Sequence, residues 1–339
     1  MKGNFHYPLL NTKQLIDEIN TLASFHKPFL FVIDYKAENG YVIAKDELDV
    51  EIVRFHFQNN NYGNKEEIDE LFINKRLIPL QWHLEPVSFE MYAKKFNFVF
   101  DQIHKGNSFL TNLTQPTSLK TNQTLIDLYQ TSTAKYKLWL RDKFVVLSPE
   151  TFIKINGNVI SSYPMKGTID ASLPNAEELI LNDPKEMAEH ATIVDLIRND
   201  LSLVATQVQV ERYRYVEKLT TNKKDLLQVS SKITGRLPDN FHEQLGDIIF
   251  ALLPAGSICG APKQKTLDII EQAEGYERGF YTGICGCYDG INLDSAVMIR
   301  FIEQNDDKLI FKSGGGITSK SDLVKEYEEL IQKVYVPIS

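Results

Sequence analysis

The chain is poor in cysteine: 3 of its 339 residues, beside 2 tryptophans and 5 methionines. Cys259, Cys285 and Cys287 are odd in number, which argues against a disulfide framework and suits a reducing compartment. Cys285-Gly286-Cys287 lacks a second ligand pair at zinc-like spacing, so it predicts small buried residues in a strand. No stretch approaches the roughly 18 to 20 uninterrupted apolar residues that a membrane-spanning helix needs. The opening, MKGNFHYPLLNTKQLIDE, has too short an apolar run for a secretory signal. A cytoplasmic protein without a membrane partner is therefore expected. An excess of positive charge is missing as well: the net charge is −8, which disfavours nucleic acid, whose phosphates require a basic surface. Any small anionic substrate must meet cations that are concentrated locally.

What is present is a composition 43% hydrophobic and 24% charged, enough for one large core or two ordinary domains. Repeats, heptads and low-complexity tracts are absent. Residues 1–85 mix short apolar stretches with a polar loop, Gln58 to Asn64, and predict strands joined by irregular loops. Ser88 to Lys105 has helical apolar spacing and stops at Gly106. Phe144 to Leu147 and Thr151 to Ile155 predict a pair of strands around a Ser148-Pro149-Glu150 turn. Elements come in clusters rather than in βαβ alternation, which points to α+β with largely antiparallel sheets.

Two helices carry acids where acids are costly. Asp183-Pro184-Lys185-Glu186 marks a helix start that should run to about Asn199. At about 100° per residue, Glu189 shares an arc with the apolar Ile193 and Leu196. Ser319 to Asp322 predicts a capping box for a last helix reaching about Val334. There Glu326, Glu329 and Lys333 fall at i, i+3 and i+7, beside Leu323, Leu330 and Val334. A carboxylate at the margin of a buried face is expensive unless a cation or a strong donor meets it. A solvated salt-bridge ladder is the bland alternative for the last helix.

Three stretches contain glycines that allow close backbone approach to a ligand: Tyr163 to Thr168, Pro254 to Lys263, and Ser313 to Thr318. None matches a nucleotide phosphate loop. Singly, each reads as a tight turn.

Taken in order, SPETF, PMKGT, EHATIVDLIRND, PAGSICGAPK, YTGICGCYDG, AVMIRFI, SGGGI and EYEELIQK resemble the chorismate-utilising enzymes. The resemblance covers about Ser148 to Lys333 and begins more faintly near Tyr92. It implies two large, mainly antiparallel sheets flanked by helices, with the site in a cleft between them. The expected layout is a single domain over 1–339, with a reduced N-terminal subregion (1–85) and a catalytic core (86–335). By position, Glu189 and Glu329 look like direct magnesium ligands, and Glu150 and Glu326 like acids holding the metal's waters. Mg2+ suits such oxygen donors. Chorismate is a dianion: Arg300, placed on a strand from Ala296 to Ile302, resembles the residue that binds the enolpyruvyl carboxylate. Tyr281 and the Gly315-Gly316 backbone would accompany it. Lys333 would lie near the ring carboxylate, and Gly167 and Thr168 against the ring.

Lys166 marks the branch. Anthranilate synthases read P-I-A-G-T here and aminodeoxychorismate synthases P-I-K-G-T, so the chain resembles the latter. The lysine, as a neutral amine, would attack C2 of the ring and form a covalent adduct, with Glu150, Glu326 and Thr168 completing the catalytic group. Ammonia would then give 4-amino-4-deoxychorismate, a folate precursor. That ammonia would come from a glutamine amidotransferase partner, since no glutaminase cysteine is visible. Ala261 in G-A-P-K supports the aminating branches. Two positions depart from the family: Leu110 stands where a glutamine is usual, and Gln228 where a histidine is usual. Glutamine exchanges no proton near neutral pH. Leucine cannot activate water, which weakens the isochorismate and salicylate branches. Anthranilate synthase is the alternative within the family. A chorismate-binding subunit without turnover is the alternative from another class.

Overall fold

The computed structural model describes residues 5–58, 60–63, 80–220 and 225–337. Asn59 and Asn64 of the predicted polar loop lie outside these. The described chain forms two large sheets, of ten and nine strands, and every strand pairing is antiparallel. The first runs in the order Leu10–Asn11, Asn39–Ala44, Phe29–Ile33, Ile284–Tyr288, Leu293–Val297, Thr151–Asn156, Val159–Ser162, Asp225–Arg236, Met165–Asp170, with Thr206–Thr220 also on Asp225–Arg236. In the second the central strands are Leu110–Thr121, Lys308–Thr318, Phe301–Asn305, Phe144–Ser148 and Tyr136–Leu140. The α+β class with two antiparallel sheets is therefore as expected.

The faces that meet are apolar. Val53, Phe55 and Phe57 alternate inward with half-buried Arg54 and His56. They pack with Val32, Tyr136, Phe144, Cys285, Cys287 and Phe301 in the core between the sheets. This inward alternation follows from the two-residue period of a strand. Cys285 and Cys287 are indeed buried strand residues with free thiols. Helices cover the outer faces. Phe89–His104 begins at Ser88, whose Oγ accepts from Met91 N–H at 3.3 Å, and buries Tyr92, Phe96, Val99 and Ile103. That spacing is the helical period which its sequence showed.

The N-terminal region departs from the expectation of strands and loops alone. Thr12–Ser24 is a helix that buries Leu15, Ile19, Leu22 and Ala23. Asn11 and Gln14 form a reciprocal capping box, and this N-x-x-Q signal lies in plain sight ahead of the apolar positions. Among the described residues no helix is long and apolar enough to cross a membrane.

The predicted strand pair around Ser148-Pro149-Glu150 also needs correction. Both strands exist, but Phe144–Ser148 belongs to the second sheet and Thr151–Asn156 to the first. The same crossing occurs between Leu293–Val297 and Phe301–Asn305. The two crossings lie side by side: Val297 N–H donates to Glu150 O at 3.2 Å and Leu147 N–H to Arg300 O at 3.1 Å. Arg300 is thus not inside a strand. It sits in the crossing with a positive φ of 50°, a conformation uncommon for a residue with a side chain.

Candidate active site

The glycines of the strand Lys308–Thr318 form one wall. The strand pairs along its length with Leu110–Thr121 and passes over the helix Leu323–Gln332. That helix is capped by Asp322, whose Oδ1 accepts from Val324 and Lys325 N–H at 3.1 and 3.0 Å. It starts later than the predicted box at Ser319, and Ser321 Oγ instead donates to Glu326 Oε1 at 2.7 Å. A Cβ at Gly315 would stand 3.4 Å from Glu326 Oε2, 3.8 Å from Lys333 Nζ and 3.9 Å from Glu329 Oε1. The missing side chain therefore leaves three charged groups facing one point. Lys333 Nζ also lies 2.6 Å from Glu329 Oε1 and donates to Gly314 O at 3.2 Å. Glu326 is buried, as the margin of an apolar face requires.

Lys166 comes to the same glycines from the first sheet. Its Nζ is 3.8 Å from where a Gly316 Cβ would be. The strand Met165–Asp170 carries a bulge: Lys166 and Thr168 oppose the consecutive residues Val229 and Gln228, and Gly167 between them has a φ of +78°. Such a bulge re-aims side chains and suits glycine. A Cβ at Gly167 would come within 3.1 Å of Glu186 Oε2. Gln228, at the family's histidine position, is thereby set directly opposite Thr168, which is exposed.

The sheet crossings supply the remaining charges. Glu150 lines a cleft of about 660 Å³ with Lys166, Asp200 and Ser257, and Ser257 Oγ donates to Glu150 Oε1 at 2.6 Å. Burial pushes the Glu150 carboxyl above its ordinary range, opposed by Ser257 and by the positive charges of Lys166, Arg300 and Lys333. Tyr281 is buried; desolvation raises its hydroxyl well above the ordinary value, against the pull of Arg278 and Arg300. Lys166, Arg300 and Lys333 thus all act on Glu150, and Glu150 and Arg300 both act on Tyr281.

Glu189 lies on the helix Pro184–Ser202. It lines a second space of about 820 Å³ with Leu110, Thr192, Thr318 and Lys320. Leu110, 5% exposed, lies beside Gly316, where a Cβ would meet its Cδ1 at 2.9 Å. Among the described residues no group of three or more His, Cys, Asp or Glu side chains is gathered to hold an ion. The oxygen donors near Gly315 still suit a hard cation. Mg2+ in particular commonly takes one or two protein carboxylates and fills its shell with water and substrate oxygens.

Sequence reasoning missed several neighbours. Ser257 carried no signal beyond its place in PAGSICGAPK. Asp200 receives Lys263 Nζ at 3.2 Å, tying the RND segment to the helix Lys263–Glu274. His190 is buried, with Nε2 2.7 Å from Ser231 Oγ; desolvation first, then Arg214 and Lys166, bring it down to about 4. Arg278 and Glu274, each 2% exposed, form an ion pair at 2.6 Å, and Arg278 Nη2 also donates to Asn112 O at 2.7 Å. Tyr335, past the last helix, stacks on Arg300.

These features agree with what the chain is similar to. A family model described as chorismate binding enzyme matches residues 58–339. An uncharacterized PabA-like protein of Haemophilus influenzae is 46% identical over 96% of this chain and 97% of its own length. Aminodeoxychorismate synthase component 1 of Escherichia coli is 32% identical over 72% of this chain, which spans 56% of that protein. The menaquinone-specific isochorismate synthase MenF of the same organism has the same fold, with a TM-score of 0.72 at 15% identity over 98% of this chain and 82% of that one. Two crossed sheets, a glycine wall over paired acids and a match over most of the sequence lead to one conclusion: the chain belongs to the chorismate-binding enzymes of the anthranilate and aminodeoxychorismate synthase family.

Proposed function

We propose that this enzyme aminates chorismate at C4 to give 4-amino-4-deoxychorismate. The observation that carries the reading is the amine of Lys166, which stands 3.8 Å from where a Gly316 Cβ would be and lines a cleft with Glu150, a carboxyl acted on by the charges of Lys166, Arg300 and Lys333. An amine there is a nucleophile placed against the site of an anionic ring substrate. Lys166 Nζ attacks ring C2, the two ring double bonds shift, and the C4 hydroxyl leaves as water with the proton given up by the amine. Ammonia then adds at C4, the double bonds return, and the lysine amine departs with the proton that ammonia gives up. The net change is chorismate plus ammonia to aminodeoxychorismate plus water, with the enolpyruvyl group retained.

Arg300 and Tyr281 serve the enolpyruvyl carboxylate, with the Gly315-Gly316 backbone alongside. Lys333 serves the ring carboxylate, and Gly167 and Thr168 bound the ring. Glu189 and Glu329 would hold Mg2+, with Glu150 and Glu326 on its waters; the ion supplies positive charge against a substrate carboxylate. Aminodeoxychorismate synthase component 1 and an anthranilate synthase component 1 are both 32% identical over 72% of this chain, so the choice of branch rests on Lys166; a glutamine amidotransferase subunit is the proposed source of ammonia.

The test is incubation of the purified chain with chorismate, Mg2+ and ammonium at mildly alkaline pH, with the product identified by mass spectrometry. An aminated product retaining the enolpyruvyl group is expected. Lys166→Ala should lose that product at low ammonium while still binding chorismate. Anthranilate with released pyruvate would move the enzyme to the other aminating branch, and consumption of no chorismate would leave a binding subunit.

A further inference from the structure

We propose that Tyr335 is a positioning residue that holds the Arg300 guanidinium ready for a substrate carboxylate. The inference rests on the reading above that Arg300 receives such a carboxylate. Arg300 Cζ lies 4.7 Å from the centroid of the Tyr335 ring, within the range where a guanidinium is attracted to an aromatic face. Arg300 Nη2 also donates to Tyr335 Oη at 3.3 Å. A guanidinium has five N–H groups in a planar fork, so one spent on tyrosine leaves others for a carboxylate. The ring fixes the plane in which those others lie.

Tyr335 can do this because the chain is pinned on both sides of it. Val334 and Val336 are buried in the apolar cluster of the second sheet's outer face, while Tyr335 between them is 46% exposed. Trp82 Nε1 donates to Val334 O at 3.1 Å, and Thr133 N–H to Pro337 O at 2.9 Å. Tyr335 N–H donates to Lys333 O at 3.0 Å. One short turn therefore links the two cations assigned to the two carboxylates of the dianion. On the other partner, the positive φ of Arg300 and the Leu147–Arg300 bond fix the backbone from which the guanidinium extends. A long side chain loses rotamer freedom on binding; stacking removes part of that loss beforehand.

The experiment measures chorismate dissociation constants by equilibrium titration, with KM, kcat and thermal midpoints alongside, for Tyr335→Phe, Tyr335→Leu and Tyr335→Ala. The Leu and Ala variants should weaken binding and raise KM by roughly three- to tenfold, as loss of a partly exposed cation–π contact predicts. The Phe variant should stay within about twofold, and kcat at saturation should be unchanged throughout. In an Arg300→Ala background, Tyr335→Leu should have no further effect on binding, since coupled residues are non-additive. Unchanged affinity in Tyr335→Leu, or an effect that persists without Arg300, would overturn the proposal. A shift in thermal midpoint alone would reduce Tyr335 to a tail anchor. If the wild-type chain binds chorismate and every variant binds equally, this inference fails and the functional reading stands. If the wild-type chain does not bind chorismate, the functional reading fails first.

Discussion

Gly315→Ala adds one methyl to the wall of the site, and its neighbours allow the result to be worked out. The φ of Gly315 lies outside the left-handed region, and the new Cβ would meet Glu326, Lys333 and Glu329 atoms at 3.4 to 3.9 Å, which is ordinary contact. The fold should accept it. Alanine in a strand also loses less backbone freedom on folding than glycine, so stability should hold or rise by up to about 1 kcal/mol. If chorismate binds against this wall as proposed, the methyl occupies space that the substrate would otherwise fill, and overpacking of that kind costs about 1–3 kcal/mol. At 1.4 kcal/mol per decade, affinity should fall by roughly 5- to 150-fold. The neighbouring glycine supplies a control. A Cβ at Gly314 would fall 2.7 Å from Leu113 O and 2.9 Å from Thr114 Cα, backbone atoms of the paired strand. Gly314→Ala should therefore destabilise by about 1–3 kcal/mol or more, because the ladder itself must shift. Thermal melts of both variants, with chorismate titrations of the variant that folds, decide the matter. Wild-type affinity in Gly315→Ala would show that the glycine run does not face substrate. Destabilisation of Gly315→Ala to the level of Gly314→Ala would contradict the local geometry.

Two further predictions concern buried charge. His190 is neutral in the fold, brought down to about 4 from an ordinary 6.5, so the folded state binds fewer protons than the unfolded one between these values. Its contribution to stability is full above pH 6.5 and is lost as pH falls through about 4, on the order of 3 kcal/mol. Thermal midpoints measured across that window should flatten in His190→Gln, and an unaltered slope would show that His190 is not the titrating group. Arg278→Ala leaves the Glu274 carboxylate buried without its partner, and should cost about 3–5 kcal/mol in denaturant unfolding. A loss under 1 kcal/mol would mean that water reaches Glu274.

Much of the site was legible because its chemistry conflicts with burial. Glu326 beside Leu330 stood out as a costly placement, and the structure buries that acid beneath a glycine. Lys166 was legible from its motif, although the bulge at Gly167 that aims it depends on pairing with a strand some sixty residues later. What stayed hidden was set by distant hydrogen bonding. Nothing local to Ser148-Pro149-Glu150 says that the strands on its two sides join different sheets, because the sheet a strand joins is decided by partners far along the chain. Arg300 looked like a strand residue for the same reason. Tyr335 gave no signal, since an exposed tyrosine after a helix is ordinary until its neighbour is known. The helix Thr12–Ser24 was different: its capping box and apolar spacing were both readable, and the short apolar runs around it drew the strand reading.

The paired sheet crossings limit how such an enzyme can change. Glu150 and Arg300 are not on adjustable loops; each interrupts a strand of a ladder continuous from one sheet to the other, stitched at Val297–Glu150 and Leu147–Arg300. Inserting residues at either crossing would slide a strand out of register in both sheets at once. New chemistry on this frame must therefore come from exchanging side chains at fixed stations, and a directed-evolution library gains more from saturating Leu110, Lys166 and Gln228 than from varying loop length.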